Sequence, residues 1–343
     1  MLSRAIVAAA FTAASFAGAM LTGAAPAAAQ SVAEFYKGNT IRIVIWAAAG
    51  GEYDIHAKLV SRHLGKHIPG NPNVIATQMT GGGGLVAANH LYNVAPKDGT
   101  QLGMMVSSLP FLQAIELDGV KFDAARFNWL GTIAPTQEGL VAWHTAPVKK
   151  FEDLRTTEFV LGASGAGSTS VLTPTMINAL LGTKIKIVPG YPGGSQINLA
   201  MERGESMGRW NTWSSWKTTH PDWISQKKIN FLLTSALRKP KDLQDPPLLI
   251  DLAQNEDDKR IFELLATNAE MGRPIVATPD VPADRIKALL AAYRAMIADA
   301  DFVAEAEKLK IEIDPIYGDQ LREMALRALS TPKHLTQRVK KLM

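Results

Sequence analysis

Four glycine-rich loops, each placed where a β-branched run ends and a helical pattern begins, constrain this sequence more than any other feature. They are Ala47-Ala48-Ala49-Gly50-Gly51-Glu52-Tyr53-Asp54, Thr80-Gly81-Gly82-Gly83-Gly84, residues 162–170 (GASGAGSTS) and Pro189-Gly190-Tyr191-Pro192-Gly193-Gly194-Ser195. The runs around the first two read as strands 40–46, 73–78 and 101–106, with helices over 53–67 and 85–94 between them. That βαβαβ order predicts a parallel sheet with helices on its faces. A second set follows strands 128–132 and 140–144. It holds strands 159–163, 184–188 and 229–235 and helices 168–181 and 195–203.

At 343 residues the chain has the length of two domains. A Pro- and Asp-rich stretch over 239–247 reads as a surface linker. Beyond it come a helix over 257–266, a strand over 274–277, and helices over 282–300, 302–309, 320–329 and 334–341. Hinge strands near 130–133 and 267–271 divide the chain into a first domain of 31–133 plus 269–343 and a second of 134–268.

Glycine lets a backbone approach a ligand closely, and each following helix offers unpaired N–H groups carrying partial positive charge. Such a site suits an anion, carboxylate or phosphate. In open α/β sheets the ligand crevice lies at the carboxyl ends of the strands, where all four loops fall. Phosphate motifs do not match: there is no G-x-x-x-x-G-K-[ST], and the four-glycine run lacks an acidic ribose partner about 20 residues on. Ser164 stands one glycine short of a G-x-S-x-G elbow and needs a base to serve as a nucleophile. His63 and His67 share a helix face with Lys58, Arg62 and Lys66, which reads as a basic face rather than a metal clamp. Asp54 suits the first turn of its helix as a capping or dipole-complementing residue.

With 36 Lys+Arg against 32 Asp+Glu and no basic block, nucleic acid is not an expected partner. The absence of cysteine excludes thiol nucleophiles, disulfides and cysteine metal sites. At the N-terminus, Arg4 precedes an Ala-rich apolar stretch and the small-residue run Ala24-Ala25-Pro26-Ala27-Ala28-Ala29. This reads as a signal peptide over 1–29, cut after Ala29, and hence an exported protein.

Trp210, Trp213 and Trp216 recur every third residue. Trp213 and Trp216 read as core. Trp46, at the end of the first strand, and Trp210 stand beside the expected cleft, and Arg209 is a natural carboxylate partner there.

Taken together, IRIVIWAAAGGEYD (41–54), LVSRHL (59–64), MTGGGG (79–84), APKDGT (95–100), the GASGAGSTS loop and Tyr191-Pro192-Gly193-Gly194 resemble the solute-binding receptors of the tripartite tricarboxylate transporter family, the Bordetella-uptake-gene (Bug) type. The resemblance spans essentially the whole chain after the leader. It implies a two-domain α/β periplasmic-binding-protein fold, a type II-like Venus flytrap whose domains are joined by two crossing strands. It also implies a monomer that holds a small organic carboxylate in the cleft and meets integral-membrane permease subunits, with no cofactor, metal or catalytic residue. By motif, the ligand-binding residues are Ala48, Ala49, Gly50, Asp54 and Gly83 on one side and Ser164, Gly165, Ser168, Thr169, Tyr191 and Gly193 on the other.

The sequence departs from the family where Trp46-Ala47 stand for Pro-Phe, Asn211 for Asp, and MTGGGG for R-P-G-A-G-G. Trp46, Arg209, Trp210 and Asn211 therefore join the candidates as positions where the pocket differs. An exported hydrolase using Ser164 or Ser168, with His144 or Lys184 as base, and a ligand-presenting sensor are the alternative functions.

Overall fold

A computed structural model describes residues 30–343 except 238, 240, 241 and 244. The expected leader over 1–29 lies outside the described residues. Among those described, no helix is long and apolar enough to cross a membrane.

The first strand, β1 (Thr40–Ile45), shows how the first sheet is covered. Successive side chains of a strand point to opposite faces. Ile41, Ile43 and Ile45 are fully buried against Leu59, Val60 and Leu64 of the helix Glu52–Leu64. Val44 joins a second cluster with Ala87, Ala88 and Leu91 of the helix Leu85–Asn93. Burial of each large aliphatic side chain contributes about 1.5–3 kcal/mol, so one short strand fixes helices on both faces.

The remaining strands are β2 (Asn73–Gln78), β3 (Gln101–Met104), β4 (Asn128–Thr132), β5 (Glu138–Trp143), β6 (Phe159–Gly162), β7 (Ile185–Val188), β8 (Gly208–Thr212), β9 (Ile229–Ser235), β10 (Ile275–Ala277) and β11 (Ile316–Tyr317). They form two sheets, ordered β11-β4-β10-β3-β1-β2 and β7-β6-β8-β5-β9. Each sheet has its own helices, giving the two-domain α/β fold.

The parallel pairing expected of the first three strands is present, and antiparallel strands join it, so both sheets are mixed. β1 pairs in parallel with β2 and β3, and β6 with β7 and β8. β10 runs antiparallel to β3 and β4, and β5 antiparallel to β8 and β9. The direction follows from the route of the chain. β4 leaves the first sheet at the end where the second begins, and a strand that re-enters there without a crossover helix must run the opposite way.

The hinge strand expected at 267–271 is instead the last turn of the helix Glu256–Glu270. Leu265, Ala266 and Ala269 continue its buried face, and the return crossing falls at residues 271–274. β8, absent from the sequence reading, is the middle strand of the second sheet. After it the helix Trp213–Thr219 buries Trp213 and Trp216 in a cluster with Trp143 and Trp223. The last helix, Lys333–Leu342, packs against the helices Thr169–Leu181 and Glu256–Glu270, with Arg338 joined to Asp258. The sequence reading had grouped that stretch with the first sheet.

Candidate functional site

The four glycine-rich loops meet in pairs across the space between the sheets. The first touches the fourth: Ala48 N–H donates to the Pro192 carbonyl at 3.2 Å, and the Ser195 hydroxyl to the Ala49 carbonyl at 3.1 Å. The second touches the third: Gly167 N–H donates to the Gly82 carbonyl at 3.1 Å. Beside them the Ser108 hydroxyl donates to the Gly167 carbonyl at 2.8 Å. Gly83, at φ +67°, lies so close to the third loop that a Cβ there would stand 2.5 Å from the Gly165 carbonyl oxygen.

Two cavities, of about 100 and 160 Å³, lie between these loops. The first is lined by Trp46, Gly50, Ser164, Ser168, Thr169, Gly193, Arg209, Trp210 and Asn211 among the residues singled out from sequence. The second is lined by Gly83 and Tyr191 and shares Trp46 and Ser164. Ala48, Ala49, Asp54 and Gly165 line neither cavity. Ala48, Ala49 and Gly165 make the loop-to-loop contacts. The buried Asp54 carboxylate accepts from Gly50 N–H at 2.9 Å, Lys58 at 2.8 Å and Gln78 at 2.8 Å, bracing the first loop from behind.

Three helices begin on the first cavity, with Gly51, Ser168 and Gly193 as their N-caps and no side-chain cap bond at any of them. The first turn of a helix carries N–H groups with no partner inside the helix and a positive dipole end. Glu52 and Asp54 complement that end of the helix Glu52–Leu64. The other two starts belong to the second sheet and carry no acidic residue in the first turn.

The sequence reading singled out Arg209 but missed the buried charges of Arg273 and Glu138. Arg273, on the return crossing, is joined to Glu52, and Thr212 completes the cluster, donating to Glu52 at 2.8 Å and accepting from Arg273 at 3.0 Å. Burial alone would raise the Glu52 pKa. The Arg273 guanidinium, with His56 and Thr212, overrides it and holds the carboxyl down to about 2. Glu138, the first residue of β5, accepts from Trp210 Nε1 at 2.6 Å and from the Thr169 hydroxyl at 2.9 Å. Its pKa is raised by burial, against the pull of those two bonds and of Arg273. Burial lowers Arg209 to about 10. Buried donors without a partner in the protein remain at Arg209 Nε, Arg273 Nε and Asn211 Nδ2, all from residues on the first cavity.

One signal for Glu138 was present in the sequence: an acid opening the otherwise apolar run EGLVAW, all six residues of which are buried. Arg273 had no such local signal.

Ser164 bonds through its hydroxyl to Ser170 at 3.2 Å. The bases considered for it stand elsewhere: His144 packs on Trp143, and Lys184 donates to the Thr156 carbonyl at 3.3 Å. His63 and His67 face the acids Glu305 and Asp299 of the helix Ala300–Lys308 and its cap, at 2.6 and 3.0 Å. His63 is buried there rather than solvated.

No family model matches the chain. A UPF0065 protein from the gbd 5′ region of Cupriavidus necator is 28% identical over 241 residues, 67% of this chain and 69% of that protein. Another, from the TAR-I ttuE–ttuC′ intergenic region of Agrobacterium vitis, is 27% identical over 183 residues, 49% of this chain and 52% of its own length. Among solved structures, the periplasmic binding protein BugD superposes with a TM-score of 0.72 at 17% identity, over 90% of this chain and 98% of that one. MatC from Rhodopseudomonas palustris, solved with malate, gives 0.68 at 16% over 88% and 99%. An R. palustris protein solved with adipate gives 0.68 at 16% over 88% and 97%. The likeness first carried by the loops thus extends through the fold, and this chain has the two-domain architecture of the Bug- and TctC-type periplasmic solute-binding proteins it resembles.

Proposed function

We propose that this protein is exported with cleavage near Ala29, captures a small organic carboxylate between its two domains and delivers it to a tripartite-tricarboxylate-type membrane permease. One observation carries the reading. Two helix starts without an acid, at Ser168 and Gly193, and the unpartnered donors of Arg209 and Asn211 line one cavity between the sheets. Oriented N–H groups with an adjacent guanidinium are the chemistry of carboxylate capture. Neighbours of the same fold that were solved with malate and adipate support the ligand class. The domains that close on it are taken as about 31–133 plus 271–332, and 134–270 with the last helix, Lys333–Leu342.

The test is a thermal-shift and calorimetry panel of mono-, di- and tricarboxylates on the chain from residue 30. The true ligand at 100 times its Kd adds about 2.7 kcal/mol of stability and is recovered unchanged. A panel with no stabilising acid, or a ligand cleaved at a rate that Ser164→Ala abolishes, overturns the reading.

A further inference from the structure

Among the described residues, two line both cavities: Trp46 from the first sheet and Ser164 from the second. Ser164 is small and is held by Ser170, to whose hydroxyl its N–H donates at 3.1 Å. The bulk between the cavities is therefore the indole of Trp46.

That indole is fixed from three sides. Trp46 directly follows β1, and alternation along the strand turns it to the same face as Val44, in the cluster with Leu85 and Val106. It is 8% exposed and meets the Tyr53 ring edge-on at 5.0 Å. Behind it lies Gly84, where an added Cβ would stand 3.7 Å from Trp46 Cδ2. A large side chain packed this closely acts as a wall, because an interior of crystal-like density gives way to added atoms only at a cost.

The cavities on its two sides differ in chemistry. The first, of about 100 Å³, is lined by Glu52, Glu138, Arg209 and Arg273. The second, of about 160 Å³, has hydroxyls and glycine backbone from the second and fourth loops and no charged side chain among its lining residues. A ligand anchored by charge in the first cavity meets the indole before it reaches the second.

We propose that Trp46 is a specificity-determining residue for ligand length, a partition that confines the ligand to the first cavity and bars it from the larger second one. This rests on the carboxylate reading of the cleft and adds the limit on what the cleft admits. A smaller apolar side chain at this position joins the two cavities and lets chain-extended acids enter.

The experiment is calorimetry with the straight-chain monoacids from acetate to decanoate, the diacids from oxalate to sebacate, and the chain-extended homologues of any acid found in the wider panel. In wild type, affinity reaches a best length and falls about tenfold or more when the chain is extended past it, the usual worth of a methylene that does not fit. Trp46→Leu moves the best length to longer acids. Thr80 is exposed and lines the second cavity but not the first. Thr80→Leu therefore returns the best length toward the wild-type value in the Trp46→Leu background, and alone leaves the wild-type series unchanged. A Trp46 that only braced the loops would weaken all acids alike in Trp46→Leu and keep the best length. That outcome, or a wild-type best length that Thr80→Leu alone shortens, overturns the inference and leaves the carboxylate reading standing. The Thr80→Leu result decides the matter if Trp46→Leu does not fold. Binding of no acid in any series removes both.

Discussion

Arg273 and Glu52 are 5% and 6% exposed and tie the return crossing to the start of the helix behind the first loop. Removing one member leaves the other buried and uncompensated, which costs about 3–5 kcal/mol. Arg273→Met is therefore expected to lower the urea-unfolding free energy by that amount, and Glu52→Gln added to it to recover most of the loss. The same pair sets a pH dependence. The Glu52 carboxyl titrates at about 2 when folded against an ordinary 4.5, so its contribution is full above the ordinary value and is lost as pH falls from 4.5 toward 2. Stability measured between pH 6 and pH 3 should fall more steeply in wild type than in Glu52→Gln. These residues also mark the limit of what the sequence discloses. Arg273 is 221 positions from Glu52, and Trp210 is 72 from Glu138. Nothing local in Met271-Gly272-Arg273-Pro274 distinguishes this arginine from a surface one. Arg209, Trp210 and Asn211, singled out from the sequence beside the expected crevice, line the first cavity.

At the scale of elements, the strands that feed the loops were readable because β-branched runs ending in glycine have few alternatives. β8 was not. Gly-Arg-Trp-Asn-Thr alternates poorly, and its place between β6 and β5 comes from pairing with strands far along the chain. The loops themselves suggest a clean test. A Cβ on Gly165 would meet Gly83 N at 2.4 Å and Gly82 C at 2.8 Å, both of them backbone atoms. Because Gly83 belongs to the loop after β2 and Gly165 to the loop after β6, the clash arises only when the two sheets' loops meet. Gly165→Ala should therefore raise the energy of the shut form by about 1–3 kcal/mol, the usual cost of overpacking. Carboxylate affinity falls by the same free energy, while the unfolding midpoint of the unliganded protein stays near wild type. An unchanged affinity would mean that the loop contact is not part of the bound state.

For the whole molecule, hydrogen bonds between the loops of the two sheets bridge the cleft. Loop-to-loop bonds join Ala48 to Pro192, Ser195 to Ala49 and Gly167 to Gly82, and Thr212 reaches Glu52 at 2.8 Å. Each such bond contributes only about 0.5–1.5 kcal/mol net, because water satisfies the same groups when the cleft is open. Shut and open forms should therefore lie close in free energy without ligand. A ligand shifts that balance only by what it binds better in the shut form, and contacts to both sheets exist there alone. If the sheets part, the crossings at 133–137 and 271–274 would serve as the hinge, and the chain crosses a third time between the helix Gly318–Leu329 and the helix Lys333–Leu342, which packs on helices of the second sheet. The expected result is a smaller radius of gyration by small-angle scattering once the stabilising carboxylate is added, and a larger one without it. Gly165→Ala should hold the larger value at ligand concentrations that close the wild type. Identical scattering with and without ligand in wild type would mean that the cleft is rigid, and a permease would then have to recognise the ligand-loaded protein by something other than its closed surface.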